Sequence, residues 1–180
     1  MKVNYLSNKF KKYKITYFEM TKSPNFNWPV SPDPKTKIIL FEQIPAWYFT
    51  FLYKQVGQNY YWTDWLYKSE KDVEEFIYNE NVKFYTLLKD EWSAGFFILD
   101  YRVKNKCNIS YLGLIPEYIG LGLGKYLLQN AILTAWKGNK IKKLTVKTNS
   151  LDHKNTIYLF KRYGFVPIKY KNFEKSVLIG

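Results

Sequence analysis

Sulfur and imidazole are nearly absent from this chain. Of its 180 residues one is cysteine, Cys107, and one is histidine, His153. A lone cysteine cannot close an internal disulfide, and a thiolate metal site has no second ligand. With a single histidine, zinc chemistry is not expected either, so the metal expectation is none. Long apolar runs are also missing. The longest candidate, Ile44 to Tyr53, is interrupted by proline and threonine and is too short to span a bilayer. The segment MKVNYLSNKFKKYK is basic but has no apolar h-region, so no signal peptide is expected and a cytoplasmic protein is the simplest expectation. Arginine is scarce: Arg102 and Arg162 are the only two, and lysine carries the rest of the basic charge behind the net +13. Lysine shares A/T-rich codons with the abundant Asn, Ile, Tyr and Phe, so much of this charge can record genome composition. The lysines are scattered, with clusters no denser than Lys9 to Lys14 and Lys140 to Lys147. That pattern is a solvated face rather than a nucleic-acid footprint. The positive field suits an anionic ligand and disfavours a polycationic substrate.

What is present is a globular composition, 47% hydrophobic and 24% charged, on a chain long enough for one core. The most informative stretch is Asn108 to Trp136, NISYLGLIPEYIGLGLGKYLLQNAILTAW. Ile109 to Ile115 reads as a strand ended by Pro116, which cannot donate to a ladder. Gly120, Gly122 and Gly124 follow at every second position. Leu127, Leu128, Ala131, Ile132 and Ala135 then recur at helical spacing. A glycine turn feeding a helix N-terminus is an anion site. Its N–H groups converge unpaired, the helix dipole adds positive potential, and missing Cβ atoms admit a phosphate. A P-loop is excluded, because Ile119 stands where its first glycine belongs and Tyr126 where its hydroxyl belongs. The dinucleotide fingerprint would need glycine in place of Lys125.

Along the rest of the chain, Lys14 to Met20 alternates as a strand, and Thr21 to Pro34 is a proline-rich arm. Lys37 to Phe41 is a second strand. Pro45 opens a helix with a stripe of Trp47, Tyr48, Phe51 and Leu52, stopped by Gly57. The aromatics Tyr60, Tyr61, Trp62, Trp65 and Tyr67, with Asp64 among them, form core or a pocket wall. Ser69 to Tyr78 is a capped helix. Lys83 to Leu88, Trp92 to Val103 and Asn108 to Ile115 make an antiparallel meander. After the glycine-led helix, closed by Gly138, Leu144 to Thr148 should run parallel to the strand before that helix. Asp152 is expected to cap a helix from His153 to Tyr163, ended by Gly164. Phe165 to Tyr170 and Ser176 to Ile179 are expected to form a terminal hairpin.

The segment PEYIGLGLGKYLL resembles the pyrophosphate loop of the GNAT family, the Gcn5-related N-acetyltransferases, with Ile119 in place of the usual arginine or glutamine. TNSLDHKNTIYLFKRYGFVPI resembles the strand-helix-strand that closes that family's core. LDH before the helix and VGQNYYWTD upstream are similar to a bacterial subgroup of unassigned substrate. The resemblance covers roughly Lys37 to Ile168. It implies an α/β (α+β) acyl-CoA N-acyltransferase fold, a mixed and mostly antiparallel sheet splayed at the cofactor strand, with helices on both faces. Residues 1–36 would be an N-terminal strand and arm, 37–168 the acetyltransferase core, and 169–180 a closing strand of a single domain.

The function implied is transfer of acetyl from acetyl-CoA to a primary amine of a small molecule or peptide by direct attack. The alternative is a catalytically weak acyl-CoA-binding module. The resemblance places the pantetheine arm along Leu112, Gly113, Leu114 and Ile115, with Gly113 a candidate bulge that starts the splay. The pyrophosphate falls on Ile119, Gly120, Leu121, Gly122, Leu123, Gly124 and Lys125, and Asn149, His153, Asn155 and Phe160 border the cofactor. Phe160 stands where the family often has a tyrosine acid, and Ile98 where the subgroup tends to carry a glutamate base. The catalytic candidates are then Asp100, which shares a strand face with Ile98, Asp64, and Tyr163. Trp28 and Trp47 would permit a dimer, so monomer and homodimer both stand.

Overall fold

The computed structural model describes residues 7–137 and 141–179. Within these residues seven strands form one sheet: β1 (Ser7–Met20), β2 (Thr36–Phe41), β3 (Val82–Lys89), β4 (Trp92–Asp100), β5 (Lys106–Leu114), β6 (Lys143–Asn149) and β7 (Val166–Ile179). Among the described residues four α-helices cover it: α1 (Ala46–Gly57), α2 (Glu70–Ile77), α3 (Leu123–Trp136) and α4 (Thr156–Arg162). The strand order is β2-β3-β4-β5-β6-β1-β7. Every pair is antiparallel except β5–β6, which is parallel because α3 carries the chain back across the sheet between them.

The central strand β4 shows how the two faces are filled. Phe96 and Ile98 point to one side and Phe97 and Leu99 to the other, and all four are fully buried. On the first side Phe49, Leu52, Tyr53 and Val56 of α1, with Val73, Phe76 and Ile77 of α2, pack onto Phe84, Phe96 and Ile98. On the other, Leu127, Leu128, Ala131, Ile132 and Ala135 of α3 pack onto Phe97, Leu99, Ile109, Leu144 and Val146, and Phe160 of α4 meets Phe18 of β1 edge-on. Each buried Val, Leu, Ile or Phe among these contributes about 1.5–3 kcal/mol. α2 starts with a capping box: Ser69 Oγ accepts from the Asp72 N–H at 3.1 Å, and the Asp72 carboxylate accepts from the Ser69 N–H at 3.2 Å.

Four expectations change. The buried stripe of α1 is not Trp47 and Phe51, which are 69% and 49% exposed, but Phe49, Leu52, Tyr53 and Val56. The closing hairpin is one continuous strand, β7, paired along its length with β1. Asp152 does not cap α4, which starts after Asn155 with no side-chain cap. Gly113 is not the bulge. The β4–β5 register passes from Ile98–Tyr111 to Leu99–Ile109, so Ser110 is the extra residue. A Cβ on Gly113 would instead lie 2.4 Å from Val56 Cγ1, so glycine there lets α1 approach β5. Gly138, expected to close α3, lies outside the described residues.

Candidate active site

The sheet opens at the bulge. β5 and β6 are paired from Lys106–Lys143 to Ile109–Val146 and no further. From Tyr111 to Leu114, β5 keeps β4 on one side and, among the described residues, has no strand on the other. The wedge between the strands is a cleft of about 270 Å³. The free edge of β5 forms one wall, and Val146 to Thr148 with the first turn of α4 form the other. At one end is the glycine turn. Gly120 (φ +94°) and Gly122 (φ +77°) both adopt left-handed backbone, and no atom lies within 4 Å of where a Cβ would stand. Gly122 is the N-cap of α3, so the first N–H groups of that helix open into the cleft beside the Lys125 ammonium. An unpaired strand edge leading to a helix N-terminus fits an extended acyl-CoA: amide groups can pair along β5, and a diphosphate can sit on the turn.

At the other end, Tyr60, Trp62, Ser110, Tyr111 and Asp152 line both this cleft and a second cavity of about 110 Å³. Asp152 is the joint. Its carboxylate accepts from Thr148 Oγ1 (2.6 Å), the Asn149 N–H (2.8 Å), Asn149 Nδ2 (3.1 Å) and Trp62 Nε1 (3.1 Å). The last bond ties the α1–α2 connection across the cleft to the β6–α4 connection. Trp62 is in turn locked against Tyr53 and Tyr111, with centroids 5.6 and 5.5 Å apart. Tyr111 Oη accepts from Trp65 Nε1 at 2.8 Å. Burial, and then the charge of Asp64, push the Tyr111 hydroxyl up to about 12. Burial likewise raises Tyr60, with the Asp152 charge adding to it.

The expected cofactor residues divide. Leu112, Gly113 and Leu114 line the cleft along β5, and Ile119, Gly120, Gly122, Gly124 and Lys125 line it at the turn. His153, Asn155 and Phe160 line the opposite wall. Ile115 is outside it, with its N–H donated to the Ala94 carbonyl at 2.9 Å. Leu121 is exposed, Leu123 is buried in the core, and Asn149 borders the second cavity. The catalytic candidates are not brought together. Asp64 lines the second cavity. Asp100 lies at the end of β4 outside both cavities, held by Arg102 through Nε at 3.0 Å and Nη2 at 2.7 Å. Tyr163 packs edge-on against Phe26 of the proline-rich arm, 5.5 Å between centroids, and does not line the cleft. Tyr111 and Asp152 were missed as site residues. Tyr111 carried one signal, an aromatic inside the strand expected to hold the cofactor. Asp152 carried only its capping propensity and its place in the LDH segment, neither of which points to its role at the joint.

Among the described residues, no cluster of His, Cys, Asp and Glu could hold a metal, and no helix is long and apolar enough to cross a membrane. No curated protein sequence matches the chain. Solved structures do. The ribosomal-protein-S18-alanine N-acetyltransferase of Escherichia coli is 16% identical with a TM-score of 0.61, over 81% of this chain and 96% of that one. A GCN5-related N-acetyltransferase from Sphaerobacter thermophilus is 14% identical with a TM-score of 0.58, over 95% of this chain and 54% of that one. A tandem GNAT protein from the clavulanic acid biosynthesis pathway is 11% identical with a TM-score of 0.65, over 91% and 53%. Several of the matching structures are longer, and the chain spans between 53% and 66% of their length. At these identities the likeness is one of fold. The family model described as Acetyltransferase (GNAT) family matches residues 41–165. That match contains the glycine turn, the splayed strands and both walls of the cleft, and the chain belongs to the GNAT acetyltransferase family.

Proposed function

We propose that the protein transfers an acetyl group from acetyl-CoA to the nitrogen of a primary amine, by direct attack. The observation that carries this reading is the unpaired edge of β5 from Ser110 to Leu114, which runs toward the left-handed glycines at the start of α3. Acetyl-CoA supplies an activated acetyl group as a thioester. Gly120 to Lys125 hold its diphosphate with backbone N–H groups and one ammonium. Leu112 to Leu114 bind its amide-bearing arm as an added strand. A β5 N–H near the bulge polarises the thioester carbonyl and stabilises charge as it builds on that oxygen. Tyr60, Trp62 and Tyr111 fix where the acceptor nitrogen meets the carbonyl carbon, so positioning supplies much of the rate. Phe160 can donate no proton, and the leaving thiolate, with an ordinary pKa near ~8.5, takes one from solvent.

A second reading, an acyl-CoA-binding module with little turnover, is favoured by one observation. The hydrocarbon rings of Phe160 and the side chain of Ile98 occupy positions where a proton-transferring group would be expected, and both are buried. The test is calorimetric titration with acetyl-CoA and CoA, repeated on Gly122→Trp after its folding is checked by circular dichroism. Binding by the wild type that falls at least tenfold in the variant is expected, because the indole fills the diphosphate cradle. Absence of binding by folded wild-type protein would sink both readings. Release of free thiol with added amine then decides between them.

A further inference from the structure

The second cavity has a wall chemistry of its own. Six aromatic rings line it: Tyr13, Tyr53, Tyr60, Tyr61, Trp62 and Tyr111. They come from β1, from α1, from the connection after α1 and from β5. Three interlock: Tyr53 stands 5.2 Å from Tyr111 at 82° and 5.6 Å from Trp62 at 42°. Tyr13 is backed by Phe173 of β7, stacked at 5.7 Å and 19°. Tyr61 holds a left-handed backbone, φ 59°, which a bulky residue adopts only where its surroundings impose it.

The charged residues in the lining are two carboxylates and one ammonium, those of Asp64, Asp152 and Lys147. The Asp152 oxygens are taken by four protein donors. The Asp64 carboxylate has no such set. Its backbone N–H donates to Tyr53 Oη at 3.1 Å, which pins the residue beside the rings. Its charge reaches the Tyr53 and Tyr111 hydroxyls, adding to burial in raising both.

Resting on the acetyltransferase reading, we propose that this cavity takes a small monocationic amine with a flat aromatic body, an arylalkylamine, as the acyl acceptor. Ring faces carry negative quadrupole charge and attract an ammonium, while an aromatic body gains edge and face contacts with the same rings. Asp64 draws the cation in, and the net charge of +13 on the whole protein repels polycations. Tyr13, stacked on Phe173, adds a braced ring to the cavity wall, and the cavity, about 110 Å³, suits a small acceptor rather than an extended peptide. The ammonium first loses a proton to solvent. The free nitrogen lone pair attacks the thioester carbonyl carbon, the C–S bond breaks, and the nitrogen sheds a second proton while the sulfur takes one up. The products are an N-acetyl amide and free thiol.

The test is direct binding, which needs no turnover. Protein saturated with CoA is titrated calorimetrically with phenethylamine, hexylamine, spermidine and a pentapeptide with a free N-terminus. Phenethylamine should bind more tightly than hexylamine by a factor on the order of ten. Asp64→Asn should weaken phenethylamine by a similar factor while CoA affinity is unchanged, and Tyr61→Ala should do the same. Equal binding of phenethylamine and hexylamine, preference for spermidine or for the peptide, or indifference to Asp64→Asn would each overturn the proposal. If CoA itself does not bind, the acetyltransferase reading fails, and the same amine series on the free protein still judges the cavity.

Discussion

Arg102 lies over the Phe76 ring, 5.2 Å from its centroid, and grips both oxygens of Asp100. The Asp100 side chain is only 13% exposed. Burial alone would raise its carboxyl, but the hydrogen bonds and charge of Arg102 outweigh it and hold the group below the usual carboxylate range. A base held in that way is a poor proton acceptor, and the pair is better understood as an anchor between β4 and α2. The contribution of a depressed carboxyl is fully present above its unfolded pKa, near ~3.9, and is lost as pH falls through its folded pKa. Arg102→Leu leaves burial unopposed and reverses the sign, so the ionised group then opposes folding. We expect the variant to lose about 1–3 kcal/mol at pH 7 and much less at pH 3.5, as measured by urea unfolding at both values.

The Trp62–Asp152 bond operates between elements: it joins two connections that the splayed sheet leaves apart, and both residues line the cleft and the second cavity. Trp62→Ala merges the two spaces. On the proposed function, kcat/KM for butyryl-CoA relative to acetyl-CoA should rise about tenfold or more, read by thiol release; an unchanged ratio would show that the indole does not limit acyl length. Elements with a local cause were legible in the sequence. The glycine turn, the α2 cap, the meander and the parallel strand after α3 each follow from a spacing or a terminator. The misread face of α1 has a physical reason. Trp47, Tyr48, Phe49, Phe51 and Tyr53 put aromatics around most of that helix, so its period supports two faces and packing against β5 decides. The site joint was illegible for another reason. The place where Tyr111 and Asp152 meet the cleft depends on the bulge at Ser110, a property of register between strands that no single segment encodes. Asp152 also had a local alternative, the cap of α4, which the four donors around it outcompete.

At the scale of the whole molecule, the strand nearest the N-terminus sits between β6 and β7. Among the described residues β7 therefore pairs in the sheet with β1 alone. Phe18, 1% exposed and edge-on to Phe160, fastens that strand to the core. Phe18→Ala should cost about 3–5 kcal/mol. Amide exchange over residues 166–173 should accelerate along with residues 15–20, because loss of β1 removes the strand on which β7 is paired. Exchange confined to β1 would show that β7 has independent support. The same arrangement sets an order of events during synthesis. The Lys14 N–H bonds Ser150 Oγ, 136 positions later. β1 leaves the ribosome long before β6 or β7 exists, and it waits as an unpaired edge while β2 to β5 can already assemble. Lys12 and Lys14 keep that waiting strand charged and discourage pairing with another nascent chain. β7 is made long after β1, so the wall of the second cavity at Tyr13, which stacks on Phe173, forms only once that later segment exists.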